Sequence, residues 1–162
     1  NRSGQGWREC FSSSCAMVAA FYGLVKSDDE YINIRERYGD TTSATAQVAA
    51  LRSLGMTAGF HQVGSVGLLE SELRAGRPVA VGWLHKGPVG APSGGGHWSV
   101  VIGLDRSSWI LHDPYGEADM VNGDYVRFTG GKAVRYSRLN FDRRWMVEGP
   151  GSGWCVTARP GQ

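Results

Sequence analysis

The sequence predicts an α+β domain in which an N-terminal helical half packs against a C-terminal antiparallel sheet. Apolar segments before residue 76 carry helix start and stop signals, whereas short β-type apolar runs bounded by turn residues follow from residue 78. The chain also has 24 glycines in 162 residues, most of them after residue 76, which indicates a loop-rich second half. This order of elements favours a functional site in the cleft between the two halves.

Four helices are predicted from their caps and apolar faces. The first is apolar nearly all round, which is typical of a buried central helix. The second is opened by the capping-box spacing of Ser27 and Glu30. The predicted helices are 15–22 with Ser12, Ser13 and Ser14 as N-caps and Gly23 as the stop, a segment carrying Ile32, Ile34 and Tyr38 before Gly39, 43–54 before Gly55, and 65–75 before Gly76.

The second half of the chain contains the predicted strands. Residues 105–108 have the composition of a hairpin turn, which joins two β-rich runs as antiparallel neighbours. Residues 85–96 contain two prolines and five glycines and are predicted to form a loop. The predicted strands are 78–84, 97–104 and 109–112, with weaker candidates at 125–128, 145–148 and 154–158.

Length and composition predict one domain, residues 1–162, that buries a core without disulfides or metals. A net charge of +2 is too small a basic excess to predict a nucleic-acid partner. No run approaches the ~18 apolar residues of a membrane span, so none is predicted. Asn1 is interpreted as a processed end or as a cut from a longer chain.

Three cysteines at irregular spacing leave at least one thiol unpaired and match neither a disulfide framework nor a metal motif. A thiolate is stabilised at a helix N-terminus by unpaired N–H groups and the helix dipole. Cys10 precedes the start of the first predicted helix, whereas Cys15 points about 140° away, towards the core. Cys10 is therefore the candidate nucleophile; the alternative is a small buried thiol without chemistry.

His97 is the candidate general base, because it follows three glycines and opens a predicted strand where a substrate can approach. Asp113 lies 113 − 97 = 16 residues later. A hairpin turn centred near Asp105 predicts that residues 97 and 113 face each other, so the carboxylate can hold the imidazole. Pro114 restricts Asp113 to an extended backbone. The alternative for Asp113 is an ordinary Asp-Pro turn.

The other histidines receive no catalytic role. His112 is expected on the opposite sheet face, His85 is expected to be solvated in its loop, and His61 has no evident partner. Their spacing matches no zinc motif, so neither a metal nor another cofactor is predicted. Gln5, upstream of Cys10, is a candidate donor to an oxyanion together with the backbone N–H of Cys10.

Several motifs together point to a known family. The segment 10–17 matches the pattern Cys-Gly-Pro-Thr-Ser-x-Ala-Met at Cys10, at the hydroxyl pair Ser13-Ser14, and at Ala16 and Met17, with Phe11 and Ser12 in place of Gly-Pro. The chain thereby resembles the bacteriocin-processing, double-glycine-leader cysteine peptidases, and more closely their stand-alone phage and bacterial branch, over essentially its whole length. Further shared motifs are Gly39-Asp40-Thr41-Thr42, Gly76-Arg77-Pro78-Val79, Gly95-Gly96-His97-Trp98, Asp113-Pro114-Tyr115-Gly116 and Arg144-Trp145-Met146-Val147-Glu148.

The resemblance implies a papain-like fold and a cysteine peptidase with Cys10 as nucleophile, His97 as base, Asp113 as acid and Gln5 as oxyanion donor. The expected substrate is the stem peptide of peptidoglycan, cleaved as by a phage lysin at the bacterial cell wall. We expect a monomer or a part of a larger phage protein. Two alternatives remain: a processing protease for double-glycine leaders or phage structural proteins, and an inactive wall- or baseplate-binding module.

Overall fold

The computed structural model describes residues 9–94 and 96–161 and confirms an α+β architecture. In the described residues the helices are α1 (Cys10–Phe21), α2 (Asp28–Arg35), α3 (Ala44–Ser53), α4 (Val66–Arg74) and α5 (Arg138–Trp145). The strands are β1 (Met56–Gly64), β2 (Val79–Trp83), β3 (His97–Leu104), β4 (Ser108–His112), β5 (Glu117–Ala118), β6 (Tyr125–Arg127), β7 (Val134–Ser137) and β8 (Gly153–Pro160).

Six strands form one antiparallel sheet in the order β1-β8-β2-β3-β4-β7, and β5 and β6 pair separately. One face of the sheet, which includes Trp98 and Val100, packs against the apolar side chains of α1, α2 and α3. The other face, which includes Val81 and Val101, packs against Leu69 of α4 and against α5. The predicted packing of N-terminal helices on the sheet is therefore found for α1, α2 and α3. A second apolar layer, with α4 and α5, covers the opposite face of the sheet.

The first helix starts earlier than its composition predicts. Cys10 is its first residue, Glu9 occupies the N-cap position, and no side chain caps the helix. The predicted N-cap role of Ser12, Ser13 and Ser14 is therefore wrong. Ser12 is instead buried and hydrogen-bonds to Thr41, Gln47 and Arg35, so its hydroxyl serves tertiary packing inside the helix.

The next three helices begin at their predicted N-caps, Ser27, Ser43 and Ser65, but α2 ends three residues before the predicted Tyr38. The hydroxyl of Ser27 accepts from the N–H of Glu30, as the capping box predicts, while the Glu30 carboxylate accepts from the N–H of Lys26. Tyr38, expected on the apolar face, lies beyond the end of α2 and is exposed, whereas Tyr31 and Arg35 are the buried side chains of this helix. The bounds of α3 and α4 agree with prediction to within one residue.

The largest errors concern elements that sequence periodicity did not reveal. The strand predicted at 145–148 is wrong, since α5 ends at Trp145 and turns follow. Helix α5 and strands β1, β5 and β7 were not predicted, although β1 and β7 form the two edges of the main sheet. Strand β1 contains two glycines and is half-exposed, which weakens the alternating pattern of an edge strand.

An aromatic stack fixes the first helix on the sheet. The Phe11 and Trp98 rings lie parallel, with centroids 3.8 Å apart and an angle of 1° between their planes. Phe11 follows Cys10 and Trp98 follows His97, so the stack sets the separation of the two backbones that carry these residues. Gly82 of β2 makes room for the indole, because a Cβ there would meet Trp98 ring atoms at 2.9 Å.

Within the described residues, no helix combines the length and apolar character needed to cross a membrane.

We predict that Gly82→Ala lowers the free energy of unfolding by about 1–3 kcal/mol, because the added methyl group overpacks the indole of Trp98. Urea denaturation followed by tryptophan fluorescence measures this change. Gly90→Ala is the matched control, since a Cβ at Gly90 meets no atom within 4 Å. The control should stay within about 0.5 kcal/mol of wild type. Equal stability of all three proteins would contradict the packing described.

Candidate active site

Cys10 is the first residue of α1, whereas the sequence placed it before the helix; the predicted position at a helix N-terminus is kept. Its thiol is largely buried and lines the main cleft. The N–H groups of the first helical turn have no partners within the helix and favour a negative charge there. Cys15 also belongs to α1, and its side chain is fully buried in the core, as predicted. Burial raises the pKa of its thiol to about 12.

His97 is the first residue of β3 and is fully buried. Its Nε2 lies 2.7 Å from Oδ1 of Asp113. Burial acts to lower the pKa of His97, but the hydrogen bond to Asp113 and the charges of Asp113 and the neighbouring Cys10 outweigh burial and raise the pKa to about 9. The other ring nitrogen, Nδ1, is buried and has no hydrogen bond of standard geometry among the described residues. This nitrogen is available to the neighbouring thiol.

Asp113 is a buried carboxylate that accepts more hydrogen bonds than the sequence suggested. Besides His97, its oxygens accept from the backbone N–H of Tyr115 and from the hydroxyls of Tyr125 and Tyr136. Among the described residues, these donors face the carboxylate and no arginine or lysine forms an ion pair with it. The two tyrosines were not predicted, although the alternation of Val134 and Tyr136 between exposed residues is a strand signal.

The hairpin that joins β3 and β4 has a different register from the one predicted. Val100 pairs with His112 and Val101 with Leu111, so paired numbers sum to 212 rather than 210. The prediction that residues 97 and 113 lie directly opposite each other is therefore wrong. The error of two residues keeps both side chains on one face, where they meet diagonally. Asp105 lies at the hairpin tip, as predicted, and accepts from the N–H groups of Ser107 and Ser108.

His85 lies in the site, contrary to the expectation that it is solvated. Its ring centroid is 5.0 Å from that of His97, and it lines the same cleft. Burial, then the charges of His97 and Lys86, lower its pKa to about 4, so the ring is neutral at physiological pH. In the loop that follows β2, Lys86 pairs with Ser93, and His85 directly precedes this pair.

The remaining predicted residues lie elsewhere. His112 points away from the site and its Nδ1 accepts from the N–H of Ala133, and His61 Nε2 lies 3.0 Å from the Thr157 hydroxyl. Gln5, the candidate oxyanion donor, lies outside the described residues. Among the residues that the structure describes, no group of three or more His, Cys, Asp or Glu side chains is arranged to hold a metal ion.

The cleft beside Cys10 and His97 has a volume of about 600 Å³ and mostly aromatic walls. Phe60 and Trp154 form one edge-to-face pair, and Tyr125 stacks with Phe128. Its lining residues are Cys10, Phe11, Thr42, Ala44, Phe60, His85, Lys86, Gly96, His97, Trp98, Tyr115, Asp124, Tyr125, Phe128 and Trp154. The rim carries an exposed ion pair between Lys86 and Asp124. These dimensions suit an extended peptide.

A thiol at a helix start beside a strand-borne imidazole, with helices and sheet in contact around it, defines the class of papain-like cysteine peptidases. Residues 4–123 match the family model described as papain-like cysteine protease AvrRpt2, and the chain belongs to this family. It is therefore a cysteine peptidase, a hydrolase of peptide bonds. A comparison with curated protein sequences gives no match.

Solved structures of three peptidases share the fold. The peptidase domain of Streptococcus ComA, a bi-functional ABC transporter involved in quorum sensing, is 21% identical, with a TM-score of 0.62 over 94% of this chain and 92% of that one. A protein described as a C39-like peptidase from Bacillus anthracis is 16% identical, with a TM-score of 0.66 over 96% and 90%. A double glycine motif protease from an AMS/PCAT transporter, in complex with its leader peptide, is 21% identical, with a TM-score of 0.58 over 94% and 85%.

We predict that iodoacetamide alkylates Cys10 far faster than Cys15 in the native protein, because the thiolate is the reacting form and burial disfavours it at Cys15. Peptide mass mapping after timed alkylation measures both rates. Cys15→Ser should leave Cys10 reactive and lower stability by about 1–3 kcal/mol, since it buries a hydroxyl. Faster labelling of Cys15 than of Cys10 would refute the choice of thiol.

Proposed function

We propose that the chain hydrolyses peptide bonds by acyl transfer through a Cys10–His97–Asp113 triad. The observation that carries this proposal is the 2.7 Å hydrogen bond between His97 Nε2 and Asp113 Oδ1 in a buried site, beside the Cys10 thiol. Because the carboxylate occupies Nε2, the imidazole keeps Nδ1 for exchange of a proton with the sulfur. The same arrangement holds the ring in one orientation.

The reaction proposed has two stages. The Cys10 thiolate attacks the substrate carbonyl carbon, and the carbonyl electrons move to an oxyanion near the N-terminus of α1. The backbone N–H of Cys10, and Gln5 by the family resemblance, stabilise that oxyanion. His97 then gives its Nδ1 proton to the leaving amine as the C–N bond breaks, which leaves a thioester on Cys10. Water, deprotonated by His97, attacks the thioester and releases the acid.

For the substrate we propose the stem peptides of peptidoglycan, which places the enzyme at the bacterial cell wall. The support is the sequence resemblance to stand-alone phage and bacterial peptidases, together with an open cleft that admits an extended peptide. Lys86 at the rim offers a cation to the carboxylates of such peptides, although Asp124 partly neutralises it.

A second candidate substrate is a polypeptide with a double-glycine leader. The double glycine motif protease in complex with its leader peptide has the same fold over 94% of this chain. The aromatic walls of the cleft favour this candidate, because rings stack well on glycine-rich backbone and on apolar side chains.

The experiment that distinguishes the two is digestion of purified peptidoglycan and of a synthetic double-glycine leader, with products identified by mass spectrometry. We expect stem-peptide fragments from the first, and Cys10→Ala should release none. Cleavage of the leader alone would select the second candidate. Failure to cleave either, with no labelling of Cys10 by a thiol-reactive peptide inhibitor, would favour the alternative of an inactive binding module.

We predict that Cys10→Ala and His97→Ala each lower the rate of hydrolysis by at least about 10³-fold without loss of the fold.

Asp113→Ala should lower kcat by about 10²–10⁴-fold, because an imidazole without its partner adopts the wrong tautomer or rotamer. Asp113→Asn should retain more activity than Asp113→Ala, since an amide oxygen still accepts from Nε2. Circular dichroism checks the fold, and wild-type rates for Asp113→Ala would exclude the third member of the triad.

We predict that kcat/KM falls at alkaline pH with an apparent pKa near 9, because the imidazolium of His97 must give a proton to the leaving amine and its pKa is about 9. Raising the pH through that value deprotonates the ring, so the activity is present below the limb and lost above it. Rates measured from pH 5 to 10 test this. A descending limb near the ordinary histidine value of ~6.5 would contradict the assignment.

A further inference from the structure

The oxygens of Asp113 are fully occupied by donors, and two of these donors are tyrosine hydroxyls. Oδ1 accepts from His97 Nε2 at 2.7 Å and from the backbone N–H of Tyr115 at 3.0 Å. Oδ2 accepts from the Tyr136 hydroxyl at 2.8 Å, and the Tyr125 hydroxyl lies 3.0 and 2.9 Å from Oδ1 and Oδ2. A carboxylate has about four lone-pair sites, so this set leaves little freedom for rotation.

Tyr136 is built to donate rather than to accept from the carboxyl. Its hydroxyl oxygen accepts from the backbone N–H of Ala118 at 3.0 Å, so its single proton is free for donation. Of the two acceptors in reach, Asp113 Oδ2 at 2.8 Å is much nearer than the Gly116 carbonyl at 3.4 Å. The ring is buried, and its centroid lies 5.7 Å from that of Trp83, next to His97. Burial and the charge of Asp113 raise the pKa of Tyr136, which keeps the hydroxyl protonated.

Tyr125 approaches Asp113 from a different element. It belongs to β6, in the two-stranded sheet with β5, and it lines the substrate cleft as well. Burial and the charge of Asp113 also raise the pKa of Tyr125. The two tyrosines therefore reach the same carboxylate from the main sheet and from the wall of the cleft.

We infer that Tyr136 and Tyr125 are positioning residues that clamp the Asp113 carboxylate in line with His97 Nε2. The inference rests on the proposed triad and adds two residues that act on it through Asp113. Without the clamp the carboxylate can turn about its Cα–Cβ and Cβ–Cγ bonds, and its hydrogen bond to the imidazole weakens. That hydrogen bond is among the interactions that raise the pKa of His97.

The midpoint of the His97 titration distinguishes a positioning role of the two tyrosines from a role in packing alone or in charge balance alone. Loss of a donor with no movement of the carboxylate would leave more negative charge beside His97 and raise the midpoint of its titration. Loss of the aligned hydrogen bond between the Asp113 carboxylate and His97 Nε2 lowers that midpoint. In the part of the chain that the structure describes, the other titratable groups around the imidazole and the carboxylate are Cys10 on α1, His85 and Lys86 on the loop after β2, Tyr115 after β4, Glu117 on β5 and Asp124 before β6.

The experiment is a pH titration of the four histidines by NMR of the ¹³C-labelled ring, with His97 assigned from a His97→Gln spectrum. In Tyr136→Phe we expect the His97 midpoint to fall by roughly one pH unit from its wild-type value. The alkaline limb of kcat/KM should move with it, and KM should change less than kcat. Tyr125→Phe should lower the midpoint too and also change KM, because this ring lines the cleft.

Tyr22→Phe is the matched control, since the Tyr22 hydroxyl donates to the Ala158 carbonyl at 3.4 Å and touches no residue of the triad. Its His97 midpoint should stay within about 0.2 pH units of wild type. If Tyr136→Phe does not fold, Tyr125→Phe alone decides the question. An unchanged or raised His97 midpoint in the folded variants overturns the clamp. Alkylation of wild-type Cys10 tests the triad separately, so a reactive Cys10 with an unmoved midpoint defeats only this inference.

Discussion

The structure depends on the contact between α1 and β3, and the stack of Phe11 on Trp98 is its centre. The nucleophile candidate and the base candidate belong to different halves of the chain, about 90 residues apart in sequence, and each is the neighbour of a stacked ring. Gly82 allows the indole to lie flat against β2. Since the rings are large and rigid, their packing sets the position of Cys10 relative to His97 far more tightly than a loop would.

Electrostatics in the site follow from burial. A buried imidazole ordinarily loses its charge, yet His97 gains basicity because a carboxylate and a thiol face its two sides. His85 lies 5.0 Å away, and there burial and the positive charges of His97 and Lys86 outweigh the nearby carboxylates of Asp113 and Asp124, so its pKa falls. The pKa values of the two histidines therefore differ by several pH units, although both rings line one cleft. This contrast assigns the acid–base work proposed here to His97 and leaves His85 as a neutral wall of the cleft.

The sequence predicted the parts of the fold that depend on local signals. Caps such as Ser27 and the strand start at His97 agree with the structure. Parts that depend on tertiary contacts were missed. The bulge between Val101 and Gly103 shifts the hairpin pairing, and Tyr136 reaches Asp113 from a strand that lies far along the chain. The spacing of residues 97 and 113 predicted their contact although the predicted register was wrong, because a shift of two residues in strand register leaves both side chains on the same face of the sheet.

The central claim is that Cys10, activated by His97, forms a covalent acyl intermediate. The direct measurement is acid quenching of the enzyme during turnover of p-nitrophenyl acetate, followed by digestion and mass spectrometry of the peptides that contain the three cysteines. The account predicts an acetyl thioester on Cys10, formed at a rate that collapses in His97→Ala. An acetyl group on Cys15 or Cys155, or equal acylation of Cys10 with and without His97, would contradict it.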